Sequence, residues 1–148
     1  MKRCVKYDSV GRANIIDRIK PIQNPSAGKD VDLVIEAVFE QCELKQELFR
    51  RLDGICKPGT LFASNTSAIP ITDLASVTGR PDKFMGLHFF SPVPMMQAVE
   101  VVRGTATTDE TLTSGLNFVR SIGKEPIQVN RDVGGFVINR MAPENNRI

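Results

Sequence analysis

The apolar and polar positions of the chain alternate between short apolar runs and the amphipathic stretches that join them. Val31 to Val38, VDLVIEAV, is rich in β-branched residues and predicts a strand covered on both faces, as in a parallel sheet. From Glu43 to Cys56 the apolar Leu44, Leu48, Leu52 and Ile55 recur at helical spacing with charged residues between them, and Lys57-Pro58-Gly59 ends that helix. Thr60 to Ser64 reads as a second buried strand and Pro70 to Val77 as a short helix. Lys83 to Phe90, KFMGLHFF, is a third strand running into the turn Ser91-Pro92-Val93-Pro94. Ala98 to Val102 makes a fourth strand. Thr107 to Glu110 has the spacing of a capping box for a helix reaching about Ile122, where Gly123 stops it, and Pro126 to Asn130 is a last short strand. Ahead of all these, the stretch through about Asp30 is weakly patterned, with Asn24-Pro25-Ser26-Ala27-Gly28 marking a turn.

Strand and helix alternating with short joints predict a doubly wound α/β sheet, a class whose ligands sit beyond the carboxyl ends of its strands. A length of 148 residues suffices for one domain with its own core and falls short of two full-sized ones. The net charge of +2, with basic and acidic residues interspersed, supplies no basic face of the kind phosphate backbones select, so nucleic acid is not an expected partner. Cys4, Cys42 and Cys56 are widely spaced and form no CxxC pair, which suggests neither a disulfide framework nor a zinc site. No apolar run approaches the roughly 18 residues of a membrane span, and the basic start MKRCVKYDS is followed by no apolar signal region. The expected compartment is the cytoplasm, with the mitochondrial matrix as the alternative.

Three strand ends carry polar groups that would line one edge of such a sheet: Glu40 after the first, Ser64-Asn65-Thr66-Ser67 after the second, and His88 within the third. His88 is the only histidine and sits in an apolar strand; Glu100 is set likewise in Ala98-Val99-Glu100-Val101-Val102. If the SPVP turn lays these strands side by side, the carboxylate can reach one imidazole nitrogen, fix the tautomer and raise the ring's basicity, leaving the other nitrogen to take a proton. Taken singly, a hydrogen-bonded core histidine and a charge at a strand edge are the simpler accounts. Taken together the two residues explain each other, because a buried carboxylate without a partner costs several kcal/mol. Ser67 reads most simply as a cap or turn residue before Ile69-Pro70-Ile71, and Asn139 as an exposed helix residue. The residues alone thus reach an α/β ligand-binding domain with a candidate base and specify no substrate.

The segments IEAVFEQCELKQELF, FASNTSAI, GLHFFSPVP, VEVVRG and GGFVINR, in this order and spacing, resemble the NAD-dependent L-3-hydroxyacyl-CoA dehydrogenases, particularly the 3-hydroxybutyryl-CoA type. The resemblance runs from about Val31 to Arg140. It implies that His88 is the catalytic histidine of the HFF motif, with Glu100 the acid that pairs with it. Ser67 would hydrogen-bond the substrate oxygen, and Asn139 would help orient substrate and histidine. Ala37, Glu40, Lys45 and Asn65 are placed on the cofactor side. The implied reaction oxidises an (S)-3-hydroxyacyl-CoA to a 3-ketoacyl-CoA with NAD, in fatty-acid or butanoate metabolism, by an enzyme that is a homo-oligomer at full length.

Departures from the family pattern accompany the match. The family opens with a strand and a GxGxxG loop that binds the pyrophosphate, and an acid about twenty residues later binds the adenosine ribose; neither is found in residues 1–30. The expected architecture is therefore an incomplete Rossmann-like sheet, with 1–130 a partial NAD-binding domain and 131–148 the start of a C-terminal helical domain, both ends looking cut. Ser91 stands where many relatives have Asn. Two functions compete on this basis: a dehydrogenase impaired for want of its phosphate loop, and a non-catalytic binding or interaction module derived from the same family. A divergent oxidoreductase of the 6-phosphogluconate dehydrogenase-like superfamily fits HFFSPVP and FASNTS less well. Weak NAD binding and an exposed strand edge at Val31 to Val38 are further expectations.

Overall fold

The computed structural model describes residues 9–137. A five-stranded sheet in the order β1-β2-β3-β4-β5 organises them: Leu33–Glu36 (β1), Leu61–Ser64 (β2), Phe84–Phe89 (β3), Ala98–Arg103 (β4) and Glu125–Val129 (β5). β1, β2 and β3 are parallel, β4 is antiparallel to β3, and β5 is parallel to β4. Cys42–Asp53 (α2) and Ile71–Ala75 (α3) cross one face, Asp109–Ser121 (α4) crosses the other, and Ser9–Ile16 (α1) precedes the sheet. Helices on both faces are the doubly wound arrangement that the alternation predicts.

Each strand sends alternate residues to opposite faces, which yields two cores. On one face Phe62, Phe84 and Val102 meet Phe49 of α2 and Ile71 and Leu74 of α3. Phe49 lies 4.5 Å from Phe84 and 5.6 Å from Phe62, centroid to centroid. On the other face Ala63, Met85, Leu87, Val99 and Val101 meet Leu112 and Val119 of α4. Gly86 lets α3 lie directly against β3: a Cβ there would stand 2.8 Å from Val102 Cβ and 2.9 Å from Ile71 Cδ1.

Four local expectations are corrected. The strand at Val31 to Val38 contracts to β1 and leaves Ile35 exposed, because among the described residues β1 has one neighbour and forms the sheet edge. α2 ends at Asp53 with Gly54 as its C-cap, and its buried stripe is rotated from the Leu44–Ile55 series: Leu44 is exposed, while Lys45 and Phe49 are buried. Phe49 is drawn into the aromatic cluster, and Lys45 inward by a carboxylate. α1 was invisible in the sequence because its residues 11–16 bury no side chain, and a helix without a buried apolar face leaves no period to read.

The last correction is the start of α4. Thr108 is its N-cap, its Oγ1 accepting from Thr111 N at 3.2 Å. Thr107 lies buried beneath the turn, donating its hydroxyl to Phe84 O and accepting from Gly104 N. Tertiary demand for a buried donor took the first threonine and moved the cap by one. Thr108→Ala is therefore expected to cost about 1 kcal/mol in urea unfolding, and Glu110→Ala less than about 0.5 kcal/mol. Equal losses for the two variants would restore the capping box.

Candidate active site

β3 and β4 form the antiparallel pair of the sheet, and their register sets His88 directly opposite Glu100. Reversing direction between these strands is what lets a residue near the end of β3 face one near the start of β4. The link between them contains a cis Ser91-Pro92 bond. His88 Nδ1 lies 2.8 Å from Glu100 Oε2, with His88 6 % and Glu100 0 % exposed. The other carboxylate oxygen accepts from the Val137 N–H at 3.0 Å. Since an ionised carboxylate only accepts, Nδ1 carries the proton and Nε2 keeps its lone pair. Phe90 and Phe136 flank the ring, their centroids 4.5 and 5.8 Å away. The arrangement is a buried, oriented imidazole able to exchange one proton at Nε2.

A second charged cluster lies at the carboxyl ends of β1 and β2. Glu36, 3 % exposed, accepts from Lys45 Nζ at 2.7 Å, from Val38 N at 2.6 Å and from Ser64 Oγ at 2.6 Å. Lys45, 1 % exposed, also reaches the Val38 carbonyl at 3.1 Å and Glu40 Oε2 at 3.3 Å. Glu40 in turn accepts from Thr66 Oγ1, from Ser67 N at 2.8 Å and from Ala68 N at 3.2 Å. Burial works against ionisation of Glu40, yet the hydrogen bonds from Thr66 and Ser67 and the Lys45 charge outweigh it and hold the carboxyl below its ordinary value. Lys45 is thus committed to two carboxylates and a carbonyl.

Of the remaining candidates, Ser67 sits in the turn that wraps Glu40, its hydroxyl 3.4 Å from Oε1. Asn65 Oδ1 accepts from Phe89 N at 2.8 Å, extending the β2–β3 connection past its last ladder pair and steadying the strand beside His88. Ala37, Val38 and Phe39 are exposed at the end of β1, Phe39 to 81 %. Asn139 lies outside the described residues. The reading of the sequence missed Glu36, although it carries the signal that marked Glu100, a lone carboxylate inside an apolar run. Phe136, whose ring lies against His88, had no such signal. Among the described residues no group of side chains is arranged to hold a metal, and no helix is long and apolar enough to cross a membrane.

The family model described as 3-hydroxyacyl-CoA dehydrogenase, NAD binding domain, matches residues 2–133. A probable 3-hydroxybutyryl-CoA dehydrogenase of Bacillus subtilis is 45 % identical over 128 residues, 86 % of this chain and 44 % of that protein. The mitochondrial hydroxyacyl-coenzyme A dehydrogenase of Sus scrofa is 49 % identical over 110 residues, 74 % of this chain and 35 % of that protein. The crystal structure of an (S)-3-hydroxybutyryl-CoA dehydrogenase from Ralstonia eutropha superposes with a TM-score of 0.88 at 41 % identity, covering 91 % of this chain and 47 % of that one. The chain therefore spans less than half the length of these relatives.

Proposed function

The chain belongs to the 3-hydroxyacyl-CoA dehydrogenase family, and from this membership we propose that it carries the catalytic residues of an oxidoreductase converting an (S)-3-hydroxyacyl-CoA to the 3-ketoacyl-CoA, in fatty-acid or butanoate metabolism. The observation that carries the reading is the buried His88–Glu100 pair. His88 Nε2 takes the proton of the 3-hydroxyl, while Glu100 holds the ring and offsets the charge it gains; in the reverse direction the imidazolium returns that proton. Ser67 binds the substrate oxygen and Asn139 orients substrate and ring, placing the reacting atoms at near-attack distance. NAD, when bound, supplies the hydride acceptor.

The described residues suit the nicotinamide side of NAD. Ala37, Val38 and Phe39 leave an open surface at the end of β1, bounded by the ionised Glu40 with Lys45 behind it and Asn65 across on β2's end. A pyrophosphate cradle is a different matter. Among the described residues no strand passes into a helix through a glycine-rich turn, and Gly28 lies in a 3-10 turn, where a Cβ would meet the side chains of Val31 and Ile22 at 3.9 and 4.0 Å. Charge-assisted hydrogen bonds of the kind such a cradle makes are worth roughly 1.5–3 kcal/mol each. Calorimetry on the 148-residue chain is accordingly expected to find weak or undetectable NAD binding; a low-micromolar dissociation constant would overturn this.

The want of a glycine-rich phosphate turn among the described residues favours a second reading, a non-catalytic Rossmann-like binding or interaction module that keeps the family's sheet. In either case residues 1–130 are proposed as part of an NAD-binding domain and 131–148 as the start of a helical one, within a protein that assembles as a homo-oligomer. The compartment proposed is the cytoplasm or the mitochondrial matrix, the Sus scrofa relative being named as mitochondrial.

A further inference from the structure

We propose that Asp132 is a positioning residue for the His88–Glu100 pair, acting through the turn that follows it; this rests on the catalytic reading of His88. α3 begins at Ile71 behind Pro70, which provides no side-chain cap. Asp132 takes that place from far along the chain: Oδ1 accepts from Ile71 N at 2.7 Å, and Oδ2 from Thr72 N at 2.6 Å and from the Thr72 hydroxyl. A loop carboxylate satisfying a helix start in this way pins the loop as firmly as it caps the helix.

What is pinned then passes directly over the site. Phe136 N donates to Val133 O at 3.0 Å to close a turn, and Gly134 runs so near the 66–68 loop that a Cβ on it would stand 3.2 Å from Ala68 O. Gly135 and Phe136 have φ of 77° and 42°, and a bulky residue adopts that left-handed conformation only where its surroundings enforce it. Phe136 is 1 % exposed, packed in the α2–α3 core with its ring against His88. Val137 N then holds the Glu100 oxygen that His88 leaves over. The turn is fastened at one end by Asp132 on α3 and at the other by Glu100. Releasing the first end loosens Phe136 against the imidazole and Val137 against the carboxylate, and with them the alignment on which the hydrogen bond between His88 Nδ1 and Glu100 depends.

Because His88 is the only histidine, its nitrogen signals can be followed without assignment and without turnover. In the parent protein at alkaline pH, nitrogen-15 spectra are expected to show a single tautomer protonated at Nδ1. Asp132→Ala is expected to mix the tautomers, while Asp132→Asn, which retains one acceptor oxygen, keeps most of the parent pattern. Thr108→Ala, which removes the cap of α4 instead, serves as the control for simple loss of a helix cap and leaves the pattern unchanged. Where turnover of acetoacetyl-CoA with NADH is measurable, Asp132→Ala lowers kcat by roughly 10²-fold with KM little changed. A folded Asp132→Ala with the parent tautomer pattern overturns the proposal and leaves the catalytic reading of His88 standing. If the spectra respond while the parent protein with NADH bound turns nothing over, the positioning holds and the catalytic reading fails.

Discussion

His88→Gln is expected to lower turnover of acetoacetyl-CoA with NADH by roughly 10²–10⁴-fold with little change in stability or KM. The amide of Gln can still donate to Glu100, which also keeps its hydrogen bond from Val137 N, so the carboxylate is not stranded. What Gln lacks is a ring nitrogen with a lone pair that can take up and return a proton. The reaction requires such an exchange at the substrate oxygen, and the chain contains no other imidazole to supply it. Comparison of kcat and KM for the parent and variant, with circular dichroism to verify the fold, decides the matter. Equal turnover in both would end the general-base reading; no turnover in either, with the fold intact and NADH bound, would favour the non-catalytic module.

Lys45→Met is expected to destabilise the fold by about 3–5 kcal/mol, since removing one partner strands a buried charge. Lys45 and Glu36 are both nearly inaccessible and 2.7 Å apart. Met matches the length of the lysine stem, so the loss isolates the ammonium. Replacing both groups, as Glu36→Gln with Lys45→Met, is expected to recover most of the stability, because the double change leaves no uncompensated charge. Urea unfolding of the four proteins in this cycle measures the coupling; a single-variant loss below about 1 kcal/mol would mean that water reaches the pair after all.

Acid adds a second signature to the same cluster. Glu40 is held below its ordinary pKa against the cost of its burial by Thr66, Ser67 and Lys45. A carboxyl depressed on folding contributes stability that is fully present above its unfolded pKa and is lost as pH falls through the folded one. Removing the Lys45 charge raises the folded pKa toward the unfolded value, so less of this stability exists and its loss is complete at a higher pH, which urea unfolding of parent and Lys45→Met as a function of pH measures.

Particular residues mark where sequence and structure part. His88 and Glu100 were legible as a pair because each is a lone polar group in an apolar strand, and two such groups in strands joined by a short turn have little else to meet. The helices α2 and α4 were legible because they bury one face. Lys45 was not, since a lysine between glutamates on a helix looks like solvent-facing charge, and only the position of Glu36 on the adjoining strand turns it inward. Thr107 and Thr108 are equivalent by spacing, and the Phe84 carbonyl beneath the first distinguishes them. Asp132 looks like any loop aspartate until α3, with no cap of its own, is placed beside it.

By itself, then, the sequence determined the α/β class, the strands and helices with a buried face, the family and the chemistry-bearing pair. These depend on periodicity and on polar groups out of place in apolar runs, both of which are local. The tertiary structure alone decided the antiparallel register that brings His88 onto Glu100, the inward turn of Lys45, the cap of α4 and the fastening of the 132–137 turn over the imidazole. Each of those depends on which unsatisfied donor or acceptor a distant segment presents, and that is known only once the chain has closed on itself.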